Sequence, residues 1–545
     1  MTEAPPSSLG EAKKPPPEGD HEPPPKPKRY WWRFTLASLL IVATIGAATA
    51  ASVILYFDSI ADALSHNNAY SRLERYLAQV DGGAPENILI LGSDKRASDA
   101  GDPGRSDTTM LLRLDPDNDA IALMSIPRDL KVEIPGYGTD KFNAAYAYGG
   151  PKLALRVVKD LTGLPINHVV NVDYLGFVQA VYAIGCVYVD VDRRYYHSNV
   201  GVPASEQYSE INVQPGYQLT CGRRALEYVR YRHTDTDLVR AARQQDFLSA
   251  ARQRVPISKL VGERNKLIDI FTTYTTSDIS DAKTMLQVLE LFVASRNAAI
   301  KEVHFPATLG PSFVYASPSA IQGAVEQFLG IEASGGPRGS LDEPGKSGGS
   351  AAKSKKAKRR KAKAKANLVK AKPPGGDGLV PASDAGELEA KAVARKVSAG
   401  FPVFYPTRLP SGAAYAESST YYHVQDPRVY HLKDTDGDRH GAYRMVVTLN
   451  LPDGIHYFGV QGVQGWPDPP ILANPSLTRT INGREYDIYV DGDRVKMIAW
   501  HRGDNTYWVS NSLLQVLTND QMVGIARSAK AIVPNEKPKR RARQR

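Results

Sequence analysis

The segment VRYRHTDTDLVRAARQQ, residues 229–245, carries Arg230, Arg232, Arg240 and Arg243, with Gln244 beside the last and only Asp235 and Asp237 between them. Guanidinium groups in such number suit a ligand with several negative charges, because each planar fork matches two phosphate oxygens. Further polar groups flank three apolar runs upstream. NILIL is followed by Gly92-Ser93-Asp94-Lys95-Arg96, TMLLRL is preceded by Arg105-Ser106-Asp107-Thr108, and ALMSI is followed by Pro127-Arg128-Asp129. Asp94 and Asp107 add carboxylates for a divalent cation, and Mg²⁺ commonly combines one or two carboxylates with substrate phosphate oxygens. The set suits a pyrophosphate held with Mg²⁺ or Mn²⁺.

Positioning these groups requires strands that end where they begin. NILILGSD, TTMLLRLD and AIALMSIP read as short buried strands, and helical patterns follow at 151–161, 174–182, 222–231, 238–255 and 282–294. Such alternation predicts an α/β domain over 85–331, with its site at the strand ends. On a helix, Arg240, Arg243 and Gln244 fall at i, i+3 and i+4, on one face. Arg230 and Arg232 flank Tyr231 as residues of an extended chain end, whose alternate side chains point to one side. The competing reading is a surface ion-pair cluster with Asp235, Asp237 and Asp246, a motif of small energetic value.

The rest of the 545 residues divides by composition. The formal charge is +10, but 11 basic residues without an acid lie in 353–372 and 6 more in 537–545, leaving the remainder at −7. Residues 34–57, FTLASLLIVATIGAATAASVILYF, are 24 in a row without a charge. As a helix they cross a bilayer core of roughly 30 Å. Lys26, Lys28, Arg29 and Arg33 precede the run, while Asp58 and Asp62 follow, so the N-terminus is expected in the cytoplasm and the bulk of the chain outside the cell membrane. A cleaved signal peptide is the alternative, and the length of the apolar run disfavours it. With the charge outside the cell, nucleic acid is not an expected partner.

Residues 1–33 read as a disordered tail, 58–84 as a helical stalk, 332–396 as a disordered Lys-rich linker and 535–545 as a basic tail. Between the last two, 397–534 read as a smaller C-terminal α+β domain of unassigned role, with Asn482-Gly483 and Asp491-Gly492 as hairpin turns and MVGIARSAKAI as a closing helix. Trp500, Tyr507 and Trp508 at strand spacing read as core rather than sugar platforms. Asp434-Thr435-Asp436-Gly437-Asp438 reads as a polar turn, since the terminal Glu of a calcium loop is missing. The two cysteines, Cys186 and Cys221, admit a disulfide in an exported chain, or two buried thiols.

The ordered series GSDKR, GRSDTTMLL, SIPRDLKVEIPGYGTDKFNAAYAYGG and YVRYRHTD…LVRAARQQDFL resembles the LytR-CpsA-Psr family of cell-wall ligases. The resemblance implies an α/β domain of LCP type, a central sheet flanked by helices, which holds a polyprenyl pyrophosphate in an apolar tunnel outside the membrane. It implies a phosphotransferase that moves a glycopolymer with its sugar phosphate from that lipid to a peptidoglycan hydroxyl. Position by position, Asp94 and Asp107 match metal-associated carboxylates, and Arg105 and Arg128 match phosphate-contacting arginines. Arg230, Arg232, Arg240 and Gln244 match the rest of the pyrophosphate clamp. Lys141 and Asn143 match a motif beside the pocket, and Val239 stands where the family commonly has Gly. A polyprenyl pyrophosphatase is a variant of this reading, and a non-catalytic wall-binding or regulatory membrane protein is its rival.

Overall fold

The structure is a computed structural model. It describes residues 73–93, 106–330 and 377–534, except 119, 204–206, 208, 232–233, 255–263, 280–281, 295–298, 304, 383 and 416–427. The expected tail at 1–33, the membrane span at 34–57, most of the stalk, the Lys-rich run and the basic tail lie outside the described residues, as do Asp94, Arg105 and Arg232. Among the described residues no helix is long and apolar enough to cross a membrane. All described residues belong to one compact unit, Ile60–Arg545.

Eight strands matter for the site: β1 (Glu86–Ser93), β2 (Ser106–Asp115), β3 (Ala120–Ser125), β4 (His168–Asp173), β5 (Val187–Val191), β6 (Gly216–Thr220), β7 (Thr275–Ser277) and β8 (Ala299–Val303). Six of them form the central sheet in the order β7-β4-β1-β2-β3-β8, while β5 and β6 pair separately. The helices are α1 (Phe142–Thr162), α2 (Tyr174–Ala183), α3 (Gly222–Arg230), α4 (Asp237–Arg254), α5 (Arg264–Tyr274), α6 (Ala282–Ala294), α7 (Pro318–Phe328), α8 (Ala385–Ala394) and α9 (Asn519–Ser528).

Strand periodicity divides the central sheet into two apolar faces. One carries Leu89, Leu91, Leu111, Met124 and Val169, all fully buried in a core shared with Ala154, Leu155 and Val158 of α1 and Phe328 of α7. Each such side chain contributes about 1.5–3 kcal/mol by leaving water. The opposite face carries Ile88, Leu114 and Ile121, covered by Leu291 of α6. On that face Ile90, Leu112 and Val170, in the three middle strands, are only half-buried.

Several expectations need correction. Helix α1 begins at Phe142 rather than 151, and its course is broken at Gly149 (φ −143°) and Gly150 (φ 62°), ahead of Pro151, which cannot donate to the helical ladder. Arg230 closes helix α3 instead of leaving an extended segment. The closing helix stops at Ser528, and Ala529–Ile532 is a strand paired with Val403–Pro406.

The C-terminal part starts before 397. Leu379–Pro381 pairs with Arg408–Pro410, and α8 buries Gly386, Ala390 and Val393, small residues whose composition reads as linker. Its 8-stranded antiparallel sheet turns at Asn482-Gly483, both at positive φ, between Leu477–Ile481 and Arg484–Asp491. Nor does it stand apart. Tyr188 of β5 and Tyr217 of β6 share a core with Leu432, Val463, Trp466, Met497 and Trp508, and Leu513 and Leu514 join the core of the central sheet. Approach is close enough that a Cβ at Gly216 would lie 2.5 Å from the Tyr430 hydroxyl.

Candidate functional site

The site is built where β1, β2 and β4 end or begin and where the chain leaves β3. In the β1–β2 ladder Gly92 faces Thr108 and Ser93 faces Ser106, which leaves Asp107 as the extra residue of a bulge. The bulge puts the backbone of Asp107 beside Ser93, the residue that precedes Asp94. Asn171 of β4 reaches across to donate from Nδ2 to Ser93 Oγ at 3.2 Å.

Arg128 lies in the turn after β3 and is nearly buried, 9 % exposed. Its backbone N–H donates to Asp237 Oδ2 at 2.8 Å, and its Nε lies 3.9 Å from Asp237 Oδ1 and 3.6 Å from Asp129 Oδ1. The turn is held from behind by the Asn143 N–H, which donates to the Arg128 carbonyl at 3.0 Å, and by Lys141, whose Nζ lies 3.2 Å from Asp129 Oδ1. Lys141 and Asn143 therefore act on the shape of the Arg128 turn.

Asp237 opens α4, where the exposed N–H groups of a helix favour a negative charge. One turn on, the Arg240 guanidinium pairs with the Asp237 carboxylate, and Arg240 Nε is buried without a hydrogen-bond partner among the described residues. Burial pushes the Asp237 carboxyl up; Arg240 and Arg128 offset that, while Asp129 adds to it. Asp237 thus gathers two cations of the expected set. Charge counting had assigned it only to the competing ion-pair cluster.

Gln244, one turn beyond Arg240, donates from Nε2 to Thr108 Oγ1 at 2.9 Å and to the Val229 carbonyl at 3.2 Å. It ties α4 to the start of β2 and to the end of α3. There, the Arg230 guanidinium carbon sits 3.7 Å from the centroid of the Tyr174 ring, and Tyr174 begins α2 immediately after β4. The disulfide between Cys186 and Cys221 joins the approach to β5 to the residue capping the other end of α3.

Arg243 parts from this group. It is fully buried, pairs with Asp235 at 2.5 Å, donates to the Tyr231 carbonyl and lies 4.5 Å from the Tyr195 ring centroid. Arg193 holds the other oxygen of Asp235 and stacks on Tyr457, from the C-terminal sheet. Burial would raise the Asp235 carboxyl, but Arg193 and Arg243 outweigh it and hold it below the usual range. One arginine of the opening segment is therefore structural, in a buried ion pair rather than the surface cluster of the competing reading, while Arg128, Arg230, Arg240 and Gln244 surround the strand ends.

Thr108 lies on the same sheet face as the half-buried Ile90, Leu112 and Val170. Gln244, one turn from Arg240, thus meets the sheet face that carries this incompletely covered apolar strip. That pairing suits an amphipathic ligand with a phosphate head and a hydrocarbon tail. Among the described residues no group of three or more His, Cys, Asp or Glu is placed to hold a metal ion. The Asp107 side chain, like all of Asp94, lies outside what the structure describes.

Comparison with known proteins agrees with these motifs. A protein from Oceanobacillus iheyensis named polyisoprenyl-teichoic acid–peptidoglycan teichoic acid transferase TagU is 33 % identical over 219 residues, 39 % of this chain and 64 % of that protein. TagT of Bacillus subtilis, named as the same kind of transferase, is 34 % identical over 166 residues, 30 % of this chain and 51 % of its own. The chain thus spans about half to two thirds of these relatives. The crystal structure of B. subtilis TagT superposes with a TM-score of 0.36 at 23 % identity, covering 48 % of this chain and 95 % of that one, a likeness on which nothing here rests. Residues 53–328, more than half of the chain, match the LytR_cpsA_psr profile, and the chain belongs to the LytR_cpsA_psr family.

Proposed function

We propose that this protein is a phosphotransferase that moves a glycopolymer, with its sugar phosphate, from a polyprenyl pyrophosphate to a peptidoglycan hydroxyl. The observation that carries this reading is the gathering of Arg128 and Arg240 on Asp237 beside Gln244, which reaches Thr108 on the sheet face that carries the half-buried Ile90, Leu112 and Val170. A lipid pyrophosphate has that polarity. The names of the TagU and TagT relatives, which pair a polyisoprenyl-linked polymer with peptidoglycan, support the same substrate classes.

Phosphoryl transfer through a loose transition state needs positioning and charge stabilisation more than a covalent protein nucleophile. The acceptor hydroxyl attacks the phosphorus next to the sugar and a new O–P bond forms. The bond to the bridging oxygen breaks, and polyprenyl monophosphate leaves with that oxygen. Arg128 and Arg240, fixed by Asp237, face the developing charge, and Arg230, stacked on Tyr174, completes the clamp with Arg105 and Arg232. The hydroxyl proton passes to Asp94, Asp107 or Asp129. Asp94 and Asp107, hard oxygen donors in the sequence next to the ends of β1 and β2, would hold Mg²⁺ or Mn²⁺, which supplies charge neutralisation to the pyrophosphate. The apolar run 34–57 would anchor the chain in the membrane that carries the lipid.

The deciding experiment is polymer transfer from a polyprenyl-pyrophosphate donor to peptidoglycan by the full chain, compared with Arg128→Ala and Arg230→Ala. Both variants should lose transfer. Undiminished turnover would sink this site, and phosphate release without polymer transfer would identify a pyrophosphatase instead.

A further inference from the structure

Along α4 beyond the arginines, on another face of the helix, lies a cavity of about 730 Å³ bounded on one side by β5, β6 and α4 and on the other by the C-terminal sheet and its loops. That volume is in the range of roughly 300–1,000 Å³ typical of small-ligand sites. Its wall, however, is unlike the apolar strip of the central sheet. Asp190, Asp192, Asp246, Glu302 and Asp491 line it, against Arg252 and Lys496 as cations. Amide and hydroxyl side chains fill much of the remainder.

One of these amides is built into place. Gln515 is 1 % exposed and has a left-handed backbone, φ 54°, which costs energy in a residue other than glycine. Its Nε2 donates to Asp491 Oδ2 at 2.6 Å, which fixes the orientation of the amide. Its Oε1 is left buried at the cavity wall with no hydrogen-bond partner among the described residues. The Ser510 hydroxyl on the same wall is in the same condition. Buried polar atoms are almost always satisfied, and an orphaned acceptor held in a strained conformation at a cavity wall calls for a donor from outside the chain.

We infer that this cavity between α4 and the C-terminal sheet binds a segment of an uncharged or amine-bearing glycan. Sugar hydroxyls both donate and accept, which matches carboxylates, the Gln515 carbonyl and the Ser510 hydroxyl at once. Arg444 neutralises Asp190 and Lys496 neutralises Asp246, which leaves Asp192, Glu302 and Asp491 against Arg252; this remaining excess of carboxylates disfavours a phosphate-bearing polymer, so the cavity does not duplicate the arginine site. The two halves of the wall are joined at the Lys496–Asp246 ion pair, 2.6 Å, so the site exists only when the C-terminal sheet is docked on α4. A glycan bound there lies along the same helix that carries Arg240 and Gln244. The inference concerns binding alone and does not depend on the transfer reaction.

The test is calorimetric titration of the full chain with the N-acetylglucosamine tetramer, with its deacetylated amine counterpart and with a phosphorylated glycan of similar length. The first two should bind and the third should not. Ala473→Trp, which fills the cavity from a loop, and Gln515→Leu should each weaken binding tenfold or more with the melting temperature of Ala473→Trp unchanged. Should Gln515→Leu fail to fold, Ala473→Trp decides. Absence of binding to both uncharged and amine-bearing glycans, tighter binding of the phosphorylated one, or undiminished binding to Ala473→Trp would each overturn the inference.

Discussion

The Arg128 backbone N–H donates to the Asp237 carboxylate at 2.8 Å across 109 residues of sequence, and the same carboxylate pairs with the Arg240 guanidinium. Asp237 therefore sets the separation of two arginines that sit on different elements. Replacing it with Asn keeps the shape and removes the charge. Since a misplacement near 1 Å can cost about 10²-fold in rate, Asp237→Asn is expected to lower transfer by about that factor. Transfer kinetics beside a thermal melt would check it, and wild-type turnover in a folded variant would show that Asp237 does not position the clamp.

Arg230 and Arg243 stand 13 residues apart and should behave in opposite ways. Arg230 is half-buried over Tyr174, a contact contributing about 0.5–2 kcal/mol. Arg230→Ala should fold with little loss of stability and lose transfer. Arg243 is sealed among Asp235, Tyr195 and Tyr231, and removing one member of such a buried network costs about 3–5 kcal/mol. Arg243→Ala should fall in denaturant midpoint, with any activity that remains scaling with the folded fraction. A stable Arg243→Ala with no transfer would move that arginine into the site.

His168, at the start of β4, lies 2.7 Å from Asp278 and 3.4 Å from Glu86. Burial by itself would lower its pKa, but those two carboxylates outweigh it and raise it to about 9. The folded value lies above the unfolded 6.5, so the stabilisation is fully present below pH 6.5 and is lost as pH rises through about 9. At about 1.4 kcal/mol per unit this amounts to about 3 kcal/mol. Urea midpoints across pH 6–10 should decline over that interval, and His168→Phe should flatten the decline.

The Cys186–Cys221 bridge closes a loop with a sequence separation of 35, for which the chain-entropy account gives about 4 kcal/mol. Because Cys221 caps α3, whose last residue is Arg230, reduction should lower both the melting temperature and transfer. Cys186→Ala with Cys221→Ser should reproduce the effect of reductant. A double variant that melts with the oxidised parent would show that the bridge adds nothing.

How legible these features are in the sequence depends on what kind of contact makes them. Strands β1, β2 and β3 are continuous apolar runs because a central strand carries apolar side chains on both faces, so their ends, and with them Arg128 and Asp107, are readable from the chain alone. Helix α8 escapes such reading because it buries only Gly386, Ala390 and Val393, a pattern without large apolar residues. Arg240 and Arg243 look equivalent in sequence, one helical turn apart. What separates them is Tyr195, 48 residues from Arg243, and such distant neighbours leave no local signal. The same holds for the cavity beside α4, whose walls come from segments more than 200 residues apart.

The longest of these contacts gives the strongest prediction about organisation. Arg444 of the C-terminal sheet is fully buried, its Nη1 3.2 Å from both oxygens of Asp190 on β5, and Trp508 Nε1 donates to the same carboxylate at 3.1 Å. Around this group Tyr188 and Tyr217 pack against Trp466 and Trp508. A shared core of this kind makes the two parts unfold together, so the protein should melt in one transition. Arg444→Met leaves the half-buried Asp190 with the indole as its side-chain donor among the described residues, at a cost of up to about 3 kcal/mol carried by the junction alone. That variant should melt in two transitions, and it should lose glycan binding at the cavity before it loses the arginine site. Two transitions already present in the unaltered protein would show that the C-terminal sheet is an independent domain after all.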